Sequence, residues 1–233
     1  MQGAIDWFLP INLYCERAGQ GFWAEPLNAI SSIAFVPAAL WTWRAGRSPE
    51  KNDPLFTLLV VLGAMIGVGS FLFHTFATMW SSFADVVPIW IFVATYIVFA
   101  ISKFSGRIAK PRVIYPVCAV VFLLTLAWVA LSGLATDTGE SREMFNGSRQ
   151  YLPALTAIYV FAAAQFYRRE PSRFWILAAA LSFTIALLFR TIDLMVCPVL
   201  PMGTHFLWHI GNALMIAFLL LAMKPAATSV NHP

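Results

Sequence analysis

Charged residues are scarce in this sequence. The 233 residues include 15 Lys and Arg and 11 Asp and Glu, which make up 11% of the chain, whereas an ordinary soluble domain has about 25% charged residues. Because 60% of the residues are apolar, a water-soluble fold of this size would expose a large apolar surface. The composition excludes an ordinary soluble protein and predicts that lipid surrounds most of the chain.

Other features are missing as well. No Gly/Ser linker, low-complexity tract or block of like charge divides the chain, which predicts one domain over residues 1–233. The first 26 residues carry Asp6, Glu16 and Glu25 and lack a basic start followed by an apolar run, so they do not resemble a signal peptide. Lys and Arg do not cluster with interleaved aromatic residues, so we expect no nucleic-acid partner.

Seven apolar runs are present instead. A helix needs about 20 apolar residues to cross the hydrocarbon of a bilayer, and it pairs its own backbone polar groups there. The runs lie roughly at residues 27–43, 55–73, 83–101, 113–131, 153–167, 174–189 and 206–223. They predict an all-α fold, an integral membrane bundle of seven transmembrane helices.

The distribution of Lys and Arg orients these predicted spans. The loops and tail on one side contain eleven of these residues, and the other side contains four. Short loops rich in Lys and Arg tend to stay in the cytoplasm. We therefore expect a multi-pass membrane protein whose N-terminal segment, residues 1–26, lies outside the cytoplasm and whose tail, residues 224–233, lies inside it.

Five polar residues stand out because polar groups at membrane depth are expensive and mark functional sites by default. His205 and His209 are four residues apart at the start of the seventh span, and Ser70 and His74 share that spacing near the end of the second. Residues at this spacing lie on one face of a helix. Asp85 follows at the opening of the third span. The topology places all five at one depth on the non-cytoplasmic side.

This set has the composition of a catalytic metal site. Three histidine ligands leave the fourth tetrahedral position of Zn²⁺ open to water, and zinc lowers the pKa of that water from about 15.7 to about 7. The carboxylate of Asp85 can accept the water's proton. The hydroxyl of Ser70 can donate a hydrogen bond to an oxyanion. The chemistry indicated is metal-assisted acyl hydrolysis in or beside the bilayer.

Plainer explanations exist for each residue taken singly. A lone histidine near a membrane interface is more often a structural, hydrogen-bonded residue than a ligand, and only the convergence of three favours a metal. Asp85 could instead pair with Arg190, for which Asp193 is a second candidate partner. Ser70 follows Gly69, and small residues at this position also allow membrane helices to pack closely.

Two of the three cysteines fall on the same predicted side of the membrane. Cys15 precedes the first span and Cys197 follows the sixth, and both are expected outside the cytoplasm, where disulfides persist. The sequence therefore permits a disulfide, but it does not give the Cα separation on which the bond depends. Cys118 falls within the fourth span, where a small apolar side chain is the simple explanation.

Taken together, these motifs resemble the alkaline ceramidase family, within the wider group of seven-span membrane hydrolases that includes the adiponectin-receptor type. The matching stretches are Gly69–His74 with Asp85, Thr204–His209, Tyr14–Glu16 and Phe22–Asn28. The resemblance covers about residues 13–221, and the N-terminal stretches favour the ceramidase branch over the receptor branch.

The resemblance implies a zinc ion held by His74, His205 and His209, with Ser70 and Asp85 beside it as catalytic residues. It further implies hydrolysis of the amide bond of ceramide-like lipids to a sphingoid base and a fatty acid.

The family also carries a calcium site in its N-terminal segment, and oxygen-rich ligation of this kind suits Ca²⁺. The candidate ligands in this chain are Asn12, Glu16 and Glu25. Glu16 and Glu25 match the family's acids, although the spacing between them is shorter than in the family, and Asn12 stands where the family has an Asp. The alternative is that both acids cap the first helix or face water.

The leading hypothesis is therefore a zinc-dependent membrane amidase whose partners are the bilayer and a ceramide-like N-acyl lipid. Two alternatives stay open. The protein could be a seven-span receptor or lipid-binding protein that uses zinc only for stability, or a lipid esterase or phospholipase of the same wider group.

Overall fold

The computed structural model describes residues 6–46, 54–104 and 145–223. Within these ranges the regular secondary structure is helical, apart from an isolated antiparallel bridge between Pro10 and Thr78, and turns and loops connect the helices. The helices are α1 (Pro26–Ser32), α2 (Phe35–Gly46), α3 (Pro54–Phe76), α4 (Met79–Phe104), a short 3₁₀ helix (Ser148–Tyr151), α5 (Leu152–Tyr167), α6 (Arg173–Val196) and α7 (His205–Ala222). The predicted all-α class is confirmed over the described residues.

Four helices in the described ranges are long and apolar enough to cross a membrane: α3, α4 as far as Ile101, α6 and α7. They indicate a multi-pass membrane protein. Helix α5 coincides with the fifth predicted span but has only 16 residues, and the fourth predicted span, residues 113–131, lies outside the described residues. The count of seven spans therefore stays a prediction.

The first predicted span, residues 27–43, forms two short helices rather than one. The hydroxyls of Ser31 and Ser32 both donate to the carbonyl of Asn28, at 3.0 and 2.8 Å, and such bonds compete with the helical ladder and bend it. The amide of Ile33 then bonds three residues back to Ile30, at 3.1 Å, which is the tighter 3₁₀ pattern. Helix α1 ends at this break and α2 begins after it.

Buried apolar side chains form two clusters between the described helices. Leu59 and Ile66 of α3 meet Phe35 of α2 and Ile216 and Leu220 of α7, all almost fully buried. Helix α3 packs most closely against α4, and α6 against α7. Large apolar side chains also cover the outer faces of the bundle, for example Val61, Val68, Leu181, Ile185 and Leu188. An apolar exterior of this kind suits a helix bundle in lipid.

Gly69 allows a close approach between α3 and α4. A Cβ atom at this position would lie 2.1 Å from the carbonyl oxygen of Ala84 and 3.1 Å from the Cα of Asp85. Only a residue without a side chain fits there, as in other close helix crossings of membrane proteins. The contact brings the beginning of α4, with Asp85, against the last turns of α3, with Ser70.

The N-terminal segment crosses the end of the bundle and is fixed there at two places. The amide of Ile11 donates to the carbonyl of Ala77 at 2.7 Å, and that of Met79 donates to Leu9 at 3.1 Å. Cys15 and Cys197 form a disulfide with a Cα separation of 5.5 Å, so the bond that the sequence permits is present. The segment is thereby tied to the α3–α4 turn and to the end of α6.

Replacing Gly69 with alanine should separate α3 from α4. Because the added methyl group would meet backbone atoms of Ala84, we expect Gly69→Ala to destabilise the protein by about 1–3 kcal/mol, the usual cost of overpacking. The measurement is thermal unfolding in detergent.

Gly63→Ala is the matched control on the same helix. The nearest atom to its added Cβ would be Ile216 Cγ2 at 3.3 Å, a side-chain atom that can move, and Ala is favoured over Gly within a helix by about 0.5–1 kcal/mol. Gly63→Ala should therefore be nearly neutral. Equal unfolding temperatures for the two variants would contradict the close contact at Gly69.

Candidate metal centre

Three buried histidines converge at one end of the bundle. His74 comes from the last turn of α3, and His205 and His209 from the first two turns of α7. Their side-chain nitrogens lie within 4.8 Å of one another, and each residue is at most 2% exposed. Among the described residues, this is the group of acids, cysteines and histidines that can hold a metal ion.

Glu25 fixes the orientation of the His74 ring. The Nδ1 atom of His74 lies 2.6 Å from Glu25 Oε2, so Nδ1 carries the proton and Nε2 presents its lone pair. Burial alone would raise the pKa of Glu25, but the hydrogen bonds from His74 and Asn28 and the charge of Arg17 lower it overall. A histidine whose other nitrogen bonds a carboxylate is the usual arrangement of a metal ligand.

Ser31 fixes His209 in the same tautomer. The Ser31 hydroxyl donates its hydrogen to the carbonyl of Asn28, so its oxygen accepts from Nδ1 of His209, 2.8 Å away. The Nε2 atom of His209 then also carries a lone pair, and it lies 3.1 Å from Nε2 of His74. Two lone pairs facing each other at this distance repel unless a cation lies between them. The donor set therefore fits a metal ion.

His205 is positioned through its backbone and its ring face. Asp193 on α6 accepts hydrogen bonds from the amides of Thr204 and His205 at 2.7 and 2.9 Å, and it also accepts one from the amide of Cys15. The ring of Tyr14 stacks on the His205 ring with centroids 3.6 Å apart. The His205 Nδ1 atom is buried and has no hydrogen-bond partner among the described residues, so it is available to a ligand.

Arg190 contacts Tyr14 and two other aromatic rings, and among the described residues it forms no close ion pair with Asp85. Its Nη1 donates to the Tyr14 hydroxyl at 2.8 Å, and its guanidinium lies 5.4–5.5 Å from the rings of Tyr14, Tyr151 and Trp208. Burial raises the pKa of Tyr14, so its phenol stays neutral and accepts this bond. Arg190 therefore supports the aromatic ring that packs on His205.

Ser70 and Asp85 lie beside the histidines. The Ser70 hydroxyl is 3.3 Å from Nε2 of His209, and Asp85, at the beginning of α4, lies close to the Ser70 side chain. Asp85 also lies near His74. The structure thus brings together all five residues that the spacing places at one depth.

The N-terminal residues expected to bind calcium have other partners in the structure. Asn12 is exposed. Both carboxylate oxygens of Glu16 accept backbone amides at the start of α1, from Leu27 at 2.7 Å and Asn28 at 2.9 Å, which is the capping role left open by the sequence. Glu25 is buried against His74. Calcium at these residues stays a prediction of the resemblance.

Several supporting residues could not be recognised from the sequence. The sequence around Ser31 does not mark it as a partner of a metal ligand, because a serine near a helix end usually caps that helix. Asp193 is conspicuous as a carboxylate at membrane depth, but its spacing does not reveal that it caps α7. Gly203 has a positive φ of 63°, and a Cβ there would lie 2.2 Å from Asp193 Oδ1, so this glycine is required for the cap.

Comparison with known proteins agrees with the geometry. The family model described as Ceramidase matches residues 14–232, a range that contains every residue of the centre. None of the curated proteins compared matches the chain. Because the family model covers nearly the whole chain and the residues that it covers converge on one buried centre, the protein belongs to the ceramidase family.

Proposed function

We propose that this protein is a zinc-dependent membrane amidase that hydrolyses ceramide-like N-acyl lipids to a sphingoid base and a fatty acid. Membership of the ceramidase family supports ceramide hydrolysis. The single observation that carries the metal assignment is the pair of Nε2 atoms of His74 and His209, 3.1 Å apart, each with its other nitrogen held by a neighbouring side chain. Ser70 and Asp85 lie within reach of the same point.

Zinc suits this donor set better than other common ions. Three imidazoles with no carboxylate among the ligands favour Zn²⁺ over Ca²⁺ or Mg²⁺, and three protein ligands are typical of catalytic rather than structural zinc. His74, His205 and His209 would hold the ion. When bound, zinc polarises a carbonyl oxygen and makes water acidic enough to act as a nucleophile near neutral pH.

Asp85 is the candidate general base and acid. Hydrolysis of an amide requires a proton to leave the attacking water and a proton to reach the departing nitrogen, so that a carboxylic acid and an amine result. A carboxylate beside the histidines can accept the first proton and donate it to the nitrogen. Ser70 donates a hydrogen bond to the carbonyl oxygen of the scissile amide as negative charge develops there.

We also propose that the centre faces away from the cytoplasm. The N-terminal segment, the Cys15–Cys197 disulfide and the three histidines all lie at the same end of the bundle. A disulfide persists in an oxidising compartment, and the excess of Lys and Arg in the other loops supports the same orientation.

The first test is fatty-acid release by the purified protein in detergent. We expect release from a ceramide, with no release from an ester lipid that carries the same acyl chain. Ester cleavage alone would favour a phospholipase or esterase, and no release from either lipid, with zinc bound, would favour a receptor or lipid-binding protein.

Asp85→Asn separates chemistry from metal binding. Because Asp85 moves protons and is not a ligand, we expect turnover to fall at least about 100-fold while one zinc per chain is retained. Metal content measured by mass spectrometry and fatty-acid release measured on the same sample provide both readouts. The exposed Asp6→Asn variant is the control, and full turnover by Asp85→Asn would remove Asp85 from the mechanism.

Ser31→Ala tests the tautomer argument. Loss of the hydroxyl that accepts from Nδ1 of His209 should weaken zinc binding about 10–100-fold, the usual effect of removing a hydrogen-bond partner of a metal ligand. Ser32→Ala is the matched control, because Ser32 bonds the same carbonyl of Asn28 and is not a partner of His209. The measurement is zinc affinity by competition with a chelator, and equal affinities would contradict the role of Ser31.

The orientation has its own test. A phosphatase that is active only outside the cytoplasm, fused after residue 233, should be inactive, because we place the C-terminal tail inside. The same enzyme fused before residue 1 should be active. Activity of the C-terminal fusion would reverse the proposed topology.

A further inference from the structure

Arg17 belongs to the N-terminal segment and packs against the last turn of α3, next to His74. It is nearly inaccessible to solvent. Its side chain is only 1% exposed. Its Nε donates to Glu25 Oε1 in a charged hydrogen bond, its Nη1 donates to the carbonyl of Gly19 at 3.1 Å, and its Nη2 donates to the carbonyl of His74 at 2.9 Å. The guanidinium thus gathers one carboxylate oxygen and two backbone carbonyls, the ligand types that a calcium ion prefers.

The residues of this segment do not fit calcium as the family resemblance implies. Both oxygens of Glu25 have partners: Oε1 accepts from Arg17, and Oε2 bonds His74 and Asn28. The oxygens of Glu16 accept two backbone amides. A divalent cation placed here would also face the positive charge of a buried guanidinium, and that repulsion is strong where solvent screening is low.

We propose that Arg17 is a built-in cation that takes the place of calcium in the N-terminal segment and positions His74 for metal binding. The positioning part of the proposal rests on the zinc centre proposed above. The replacement of calcium rests only on the contacts of Arg17.

The guanidinium acts on both the backbone and the ring of His74. The His74 carbonyl lies in the last turn of α3, where carbonyls lose their intrahelical partners, and the amide four residues on, that of Thr78, donates to Ser81 Oγ instead. Arg17 supplies the missing donor, and its charge is favourable at a helix C-terminus. Through Glu25 Oε1, the same guanidinium also holds the carboxylate that orients the His74 ring.

Arginine is suited to this place in a way that lysine is not. The three contacts use three nitrogens of one planar group with fixed directions, whereas the ammonium of lysine is a compact charge on a flexible stem. Arg17→Lys should therefore keep the charge but lose part of the geometry, and Arg17→Ala should lose both.

Calcium binding by the wild-type protein is the first experiment. Purified zinc-loaded protein is dialysed against radioactive calcium at about 1 mM, a concentration that fills calcium sites of extracellular modules, and its unfolding temperature is measured with and without calcium. We expect bound calcium far below one ion per chain and no shift in unfolding temperature. Stoichiometric binding, or a clear stabilisation by calcium, would overturn the proposal.

Zinc affinity of the Arg17 variants is the second experiment. We expect Arg17→Ala to bind zinc at least about 10-fold more weakly, as removal of support behind a metal ligand does, with Arg17→Lys between the alanine variant and wild type. Arg44→Ala, which removes an exposed arginine on α2, should match wild type.

A folded Arg17→Ala protein with wild-type zinc affinity would refute the positioning role. If Arg17→Ala does not fold, the lysine variant decides: unchanged zinc affinity refutes the role, and partial loss supports it. Neither experiment uses a substrate, so a failure to detect fatty-acid release would count against the amidase function and leave the proposal for Arg17 standing.

Discussion

The main physical constraint on this structure is the free-energy cost of burying polar side chains among apolar helices. Three imidazoles lie at most 2% exposed, and two of them present lone pairs to each other across 3.1 Å. Such an arrangement is stable only with a positive charge between the rings and with the remaining nitrogens bonded. Glu25 and Ser31 supply those bonds to His74 and His209. The centre therefore requires these two partners as well as the histidines.

Close helix packing brings these groups to one place. The absence of a side chain at Gly69 lets α4 approach α3 until Asp85 lies beside Ser70. On the other side of the centre, Asp193 of α6 caps the N-terminus of α7 and so fixes the position of His205. Close packing at Gly69 and the hydrogen bonds of Asp193 thus help to hold the bundle together, because lipid gives no hydrophobic drive for helices to associate.

The N-terminal segment contributes side chains to the centre and does not merely precede the first helix. Tyr14 covers the face of His205, Cys15 ties the segment to α6, and Arg17 and Glu25 meet behind His74. In this segment the proposed arginine cation stands where the family resemblance suggests calcium. Both solutions neutralise the same carboxylate, but a covalently attached cation needs no ion from solution.

The sequence by itself determined the lipid environment, the helical class, the family and the five polar residues of the centre. These follow from composition, from apolar runs and from spacings of four residues, which are local properties of a helix. It did not reveal the break between α1 and α2, the bond from Ser31 to His209, the Asp193 cap or the contacts of Arg17. The last three depend on contacts between distant parts of the chain, such as 178 positions between Ser31 and His209 and 57 between Arg17 and His74. Only the tertiary packing decides such contacts, because a hydrogen bond needs both partners within about 3 Å.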